Sequence, residues 1–284
     1  MEHLHLELEV ADWISVDPGA IRKAAEIAGP AGVPVICFTN EPAIVAPGLF
    51  RLGVDPDHMM ETIIDFSRSR GFSAFGALLP DAEAGRMVEK SLRSAVASRG
   101  GSLAIVEHYP AGGEPSQEVA RKLAETSIDA VFLYDNVGNV GRVARVVKSM
   151  GVDLEKIQTI GTANWASFAN LAEPALDGGW YASPDLSLIG NFAGRYQERF
   201  GEASATNSYL AYDAASLAVA LYRDHGAEGY NAKIVSQPSG FAGLLGLFRF
   251  RRDGSTERGL GVFRVNAAIG IQVLSPLPIE FDHE

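Results

Sequence analysis

Five short apolar runs in this chain are each followed by polar side chains of a kind that binds rather than reacts. Past residues 33–38 come Thr39 and Asn40, past 72–79 comes Asp81, and past 102–107 comes Tyr109. Past 130–134 come Asp135 and Asn136, and past 157–161 come Thr162, Ala163, Asn164 and Trp165. Hydroxyl, amide and carboxylate groups offer hydrogen bonds, and Tyr134 and Trp165 offer flat faces for stacking. Each also has a plain structural use. Asn40 and Asn136 are ordinary turn residues, Asp81 is an ordinary helix cap, and Trp165 can serve as a covering ring.

Residue sets that perform reactions are missing from the pattern. The six histidines include no H-x-x-x-H pair, and no G-x-S-x-G elbow is present. No G-x-x-x-x-G-K-[ST] loop cradles a phosphate, and Gly138 and Gly141 miss the G-x-G-x-x-G spacing. Asp81 and Glu83 are close in sequence, but acids at a helix start answer the helix dipole. The lone Cys37 lies in the apolar run Val35-Ile36-Cys37-Phe38, where it reads as a small buried hydrophobe. No cofactor and no metal site is expected.

The elements that must position these side chains follow from periodicity. Strand-like runs alternate with helix-like stretches, which predicts an α/β fold with parallel sheets flanked by helices. Ligands of open α/β sheets bind beyond the carboxyl ends of the strands, where Thr39, Asp81 and the others lie. Helices are predicted over 18–28, 55–70, 81–96, 117–125, 140–150, 188–200 and 207–224. Pro18 suits a first helical turn, and Gly29-Pro30 stops that helix. Strands are expected at 13–16, 50–54 and 178–182. A strand over 241–250 leads into the turn Arg252-Asp253-Gly254-Ser255 and a strand at 259–265, a hairpin signal. A last strand at 269–274 precedes a Pro-rich acidic tail expected to be loosely held.

Composition is that of a globular protein: 284 residues, 47% hydrophobic and 21% charged. The net charge of −11 argues against a nucleic-acid partner, which needs a basic face. The cluster Arg249-Phe250-Arg251-Arg252 runs straight into Asp253-Gly254 and reads as a solvated strand end. No stretch reaches the ~18 apolar residues of a membrane span. The opening residues Met1 to Glu7 are acidic and alternating, unlike an export signal.

In order and spacing, several segments resemble the type 1 periplasmic binding proteins. Phe75-Gly76-Ala77-Leu78-Leu79-Pro80-Asp81 with Arg99-Gly100-Gly101-Ser102 looks like the start of that family's second lobe. Asp129 to Tyr134 and Ile160-Gly161-Thr162 look like its next two strands, and Ala211-Tyr212-Asp213-Ala214 resembles the tyrosine-containing helix of leucine/isoleucine/valine-binding relatives. The run Gly240 to Phe250, with Asp253-Gly254 and Glu257-Arg258, is similar to bacterial penicillin-binding protein activators, lipoproteins whose carboxyl-terminal domain has this fold.

The resemblance implies two lobes joined by three crossings near Gly53, Ala182 and Arg251, with a ligand cleft between them. It divides the chain into a first lobe of 1–54 plus 183–250, a second of 55–182 plus 251–278, and a tail of 279–284. The first lobe looks truncated at its N-terminus, since the family opens with a further strand–helix–strand–helix portion. An exposed sheet edge would invite a homodimer.

The resemblance also implies that an amino-acid ligand would have its ammonium held by an acid in the loop after Gly161, because a desolvated ammonium left unpaired costs several kcal/mol. That loop, Thr162 to Trp165, carries no acid. An aromatic usual after the second lobe's first strand is replaced by Ala84 before Gly85, and Asp17-Pro18-Gly19 stands where a serine would hold a carboxylate. The expectation is therefore a non-enzymatic recognition domain of the penicillin-binding protein activator type, serving cell-wall synthesis with a peptidoglycan synthase as partner. The alternative is the solute-binding receptor of an ABC importer for amino acids or another small polar solute. Either role implies a periplasmic or outer-membrane-attached location. The ligand set would be Thr39, Asn40, Asp81, Tyr134, Asp135, Asn136, Thr162, Asn164 and Trp165.

Overall fold

A computed structural model describes residues 17–39, 44, 46–135 and 139–281. In chain order the elements are α1 (Pro18–Ala28), β1 (Val35–Cys37), β2 (Leu49–Arg51), α2 (Pro56–Ser69), β3 (Ala74–Asp81), α3 (Glu83–Ser98), β4 (Ser102–Pro110) and α4 (Gln117–Glu125). Then come β5 (Ala130–Leu133), α5 (Val140–Ser149), β6 (Gln158–Thr162), α6 (Phe168–Leu171), β7 (Trp180–Ser183), α7 (Ile189–Phe200) and α8 (Thr206–His225). The chain closes with α9 (Ala232–Val235), β8 (Phe241–Gly243), β9 (Gly246–Phe250), β10 (Thr256–Arg258), β11 (Gly261–Asn266) and β12 (Gly270–Ser275). The strand expected at 13–16, and the candidates Asn40 and Asn136, lie outside the described residues.

Two compact units result. The first holds residues 1–55, 184–259 and 278–284, and the second 56–183 and 260–277. The last crossing therefore falls after Gly259, not near Arg251. The reason is pairing: β10 hydrogen-bonds to β9, with Thr256 opposite Phe250 and Arg258 opposite Phe248, which keeps 251–259 in the first unit.

The second unit is a 7-stranded sheet in the order β12-β11-β7-β6-β5-β3-β4. Strands β4, β3, β5, β6 and β7 run parallel, while β11 and β12 join antiparallel at one edge. Side chains alternate across a strand, and here each face is apolar. Phe75, Ala77 and Leu79 of β3 pack with Ala130 and Phe132 of β5 beneath α2 and α3 (Met60, Ile63, Leu92, Val96). Leu78, Val131 and Leu133 face the other way, onto α4 and α5 (Val119, Leu123, Val143, Val147). Helices on both faces bury the central strands β3 and β5, while the edge strand β4 stays largely half-exposed. Asp129 fixes the start of β5 by accepting from the N–H groups of Ser73 (2.6 Å) and Ala74 (2.8 Å).

The first unit carries a parallel pair, β1-β2, and an antiparallel sheet, β10-β9-β8. Asp17 caps α1, accepting from the Ala20 N–H at 2.8 Å. That bond satisfies one of the free amides of the first turn. The span expected as one strand over 241–250 is two. Leu244 and Leu245 turn the chain, and the Leu244 N–H donates to buried Asp213 of α8 at 2.6 Å. Arg249 and Arg251 both pair with Glu257 across β9-β10, at 2.9 and 3.3 Å. The tail is held as well: Phe281 is buried, with the Arg249 guanidinium 4.6 Å from its ring centroid. Cys37 is fully buried with Ile21, Ile44 and Leu49, and burial pushes its thiol pKa up to about 11.

Candidate functional site

The polar candidates of the second unit gather where β5 and β6 end. Thr162, the last residue of β6, donates its hydroxyl to Asn164 Oδ1 at 3.0 Å. Asn164 Nδ2 in turn donates to the Asp135 carbonyl at 2.6 Å, so one amide side chain ties the two loops together. On the other side of Tyr134, the Tyr109 hydroxyl donates to the Tyr134 carbonyl at 3.1 Å. Buried Asn170, which the sequence pattern did not single out, completes the lacing. Its Nδ2 donates to the Asn164 carbonyl at 3.2 Å, and its Oδ1 accepts from the Gly141 N–H at 3.0 Å. The signal was there, an amide inside the apolar stretch Phe168-Ala169-Asn170-Leu171, because a buried amide must find partners.

Electrostatics keep this cluster in one protonation state. Burial, reinforced by the Asp135 carboxylate, holds the Tyr109 phenol far above its usual pKa, so it stays a donor. Tyr134 is raised for the same two reasons in the same order. Among the described residues no group of three or more His, Cys, Asp or Glu side chains could hold a metal ion. Among the described residues the arrangement supplies fixed hydrogen-bonding groups.

Two candidates take a different place from the one expected. Trp165 is not a ligand-facing ring. It is fully buried, its Nε1 donates to the Leu133 carbonyl at 3.0 Å, and its ring packs near Tyr181. The ring fits because Gly161 and Gly179 lie against it; a Cβ at either position would collide with the indole. Asp81 is not the helix cap. Strand β3 continues through Asp81, which pairs with Pro110, and extended Ala82 takes the cap position with no side-chain bond. The Asp81 carboxylate instead meets Arg86 at 3.1 Å, an exposed pair of small energetic weight. In the first turn of α3, Gly85 approaches the Pro80 carbonyl so closely that any Cβ would collide with it.

The remaining placements are these. Tyr134 and Asn164 are half-buried and so keep accessible surface, whereas Asp135 and Thr162 are buried beneath them. Thr39 follows β1 in the first unit and is also half-buried. Asp81 sits exposed at the end of β3, the strand beside β5, without a bond to the Asn164 cluster.

A doubly wound parallel sheet with its polar groups at the strand carboxyl ends defines an α/β ligand-recognition fold. Residues 12–269 match the family described as periplasmic binding protein, and the chain belongs to that family. Solved structures agree on the fold. A protein described as a branched-chain amino acid ABC transporter from Rhodospirillum rubrum superposes with a TM-score of 0.71 at 18% identity, over 91% of this chain and 85% of that one. A branched chain amino acid ABC transporter periplasmic ligand-binding protein from Burkholderia xenovorans gives 0.68 at 13% identity, over 92% and 75%. An ABC transporter solute binding protein from R. palustris, in complex with benzoate, gives 0.62 at 16% identity, over 92% and 76%. None of the curated proteins matches this chain in sequence.

Proposed function

We propose that this protein is a recognition protein for a small polar solute that lacks an ammonium group, acting as the binding component of an ABC importer. The observation that carries this reading is the Asn164 lacing. The loop after β6 is fixed to β5 by neutral amide and hydroxyl groups, and residues 162–165 bring no carboxylate to it. A cationic amine placed against residues 162–165 would lose its hydration without gaining a counter-charge from that loop, and the neighbouring Asp135 carboxylate is buried. A neutral or carboxylate-bearing solute has no such need, and fold relatives include proteins solved with benzoate and with 3,4-dihydroxy benzoic acid. Location in the periplasm accords with the family.

Thermal-shift and calorimetric titration with benzoate, hydroxylated benzoates, neutral polyols and leucine test this. Ligand binding to the native state must raise its melting temperature. A rise with a solute lacking an ammonium supports the reading, and a rise with leucine alone overturns it.

The run Gly240 to Phe250 favours a second reading, a penicillin-binding protein activator that contacts a peptidoglycan synthase. This run forms β8, a buried Leu244-Leu245 turn and β9. Titration against a purified synthase in the absence of any solute separates the two.

A further inference from the structure

Helix α7 is long and amphipathic yet buries no residue fully. Its aromatic side chains Phe192, Tyr196 and Phe200 recur every four residues and so share one face. That face runs beside α8: Phe192 meets Tyr212 edge-on at 5.2 Å between centroids, and Tyr196 lies 4.7 Å from Phe200. Between the two helices is an open groove of about 740 Å³, within the size range of small-molecule sites. Phe200 and Tyr212 remain exposed along it.

Two arginines, Arg195 and Arg199, line the same groove one helical turn apart. Among the described residues Arg195 has no hydrogen bond or ion pair, and Arg199 has none beyond a cation–π approach to the neighbouring Phe200 ring, 5.9 Å away. Elsewhere in this chain of net charge −11, arginines such as Arg93, Arg99, Arg249 and Arg258 stand against carboxylates. Glu198 lines the groove as well, so two guanidinium groups and one carboxylate leave it net positive above an aromatic floor, a combination complementary to one kind of molecule. Its anionic head would take the fork-shaped donors, and its flat apolar body would stack on the rings.

We infer that the α7–α8 groove is a binding site for an extended aryl carboxylate, separate from the loops after β5 and β6. Tyr196 and Tyr212 form the walls, and Arg195 and Arg199 hold the carboxylate.

The test uses the full chain, with 2-naphthoate as probe and uncharged 2-naphthylmethanol as its comparison, followed by calorimetry and probe fluorescence. Naphthoate is expected to bind with a Kd below about 1 mM, and naphthylmethanol about tenfold more weakly. Arg195→Ala/Arg199→Ala, which removes no internal partner, should weaken naphthoate about tenfold or more and leave naphthylmethanol unchanged. Tyr196→Ala should weaken both probes. Arg252→Ala, an exposed arginine elsewhere in the unit, should weaken neither. The inference is overturned if naphthoate shows no saturable binding below about 1 mM, if both probes bind alike, or if the Arg252 variant matches the double variant. A benzoate-induced thermal shift that survives in the double variant belongs to the β5–β6 loops, so the two proposals stand or fall separately.

Discussion

The Arg258 guanidinium lies 3.7 Å from the Asp213 carboxylate with both side chains sealed from solvent, at 1% and 0% exposure. Arg258 also donates to the carbonyls of Gly53 and Leu245, each at 3.2 Å, and covers the Phe248 ring at 5.1 Å. Burial raises the Asp213 carboxyl above its usual range and lowers the guanidinium to about 10. The pair thus joins α8, the β8–β9 turn and the segment after β2 within the first unit.

Removing one partner should be severe. Arg258→Met leaves the Asp213 carboxylate buried and unpaired, and a loss of about 3–5 kcal/mol is expected. Arg258→Met combined with Asp213→Leu should recover only part of it: the apolar pair avoids the desolvation cost, but the Leu244 N–H loses its acceptor. Urea unfolding of the two variants measures the difference.

Trp165→Ala should cost about 3–5 kcal/mol by emptying a core site, with solute affinity per folded molecule unchanged. Gly161→Ala should give a comparable loss, because the added methyl would displace the indole. Denaturant midpoints combined with titration of the folded fraction check both. A variant that kept its stability and lost binding would return Trp165 to the ligand set.

Asp129 supplies a pH dependence. The two N–H donors of Ala74 and Ser73 hold its carboxyl below the usual carboxylate range. A carboxyl depressed in the folded state stabilises fully above its unfolded pKa, near 3.9, and that contribution fades as pH falls through the lower folded value. The melting-temperature gap between wild type and Asp129→Asn should stay constant from neutral pH to about pH 5 and narrow below about pH 4. A gap that widens on acidification would contradict this.

Ala163→Asp tests why the solute should lack an ammonium. Ala163 is half-buried in the loop after β6, so a carboxylate added there would meet a ligand amine. Leucine should then raise the melting temperature of the variant and not that of the wild type.

Much of the second unit was legible because each of its strands is an apolar run of fixed period closed by a turn residue. Helices 117–125 and 140–150 and the runs at 130–134 and 157–161 fall where the periodicity puts them, within a residue or two. The first unit was less so. Gly243 and Gly246, the latter at φ 78°, flank the Leu244-Leu245 turn, but the carboxylate that receives the Leu244 N–H comes from Asp213 on another helix and leaves no local mark. Trp165 misled for a related reason. Its loop position suggests exposure, while the space that swallows it is made by glycines at 161 and 179, one of them fourteen residues further along the chain. Asp81 failed as a cap because strand pairing to Pro110 carries β3 one residue past the expected turn.

Cys37 gives the first unit a reporter of its own. Its sulfur is sealed between α1 and the β1–β2 pair, and its raised pKa leaves almost no thiolate at neutral pH. Alkylating reagents can therefore reach it only when that layer opens. The labelling rate of this single thiol becomes a clock for local opening of one unit, in a protein that needs no engineered probe to carry it.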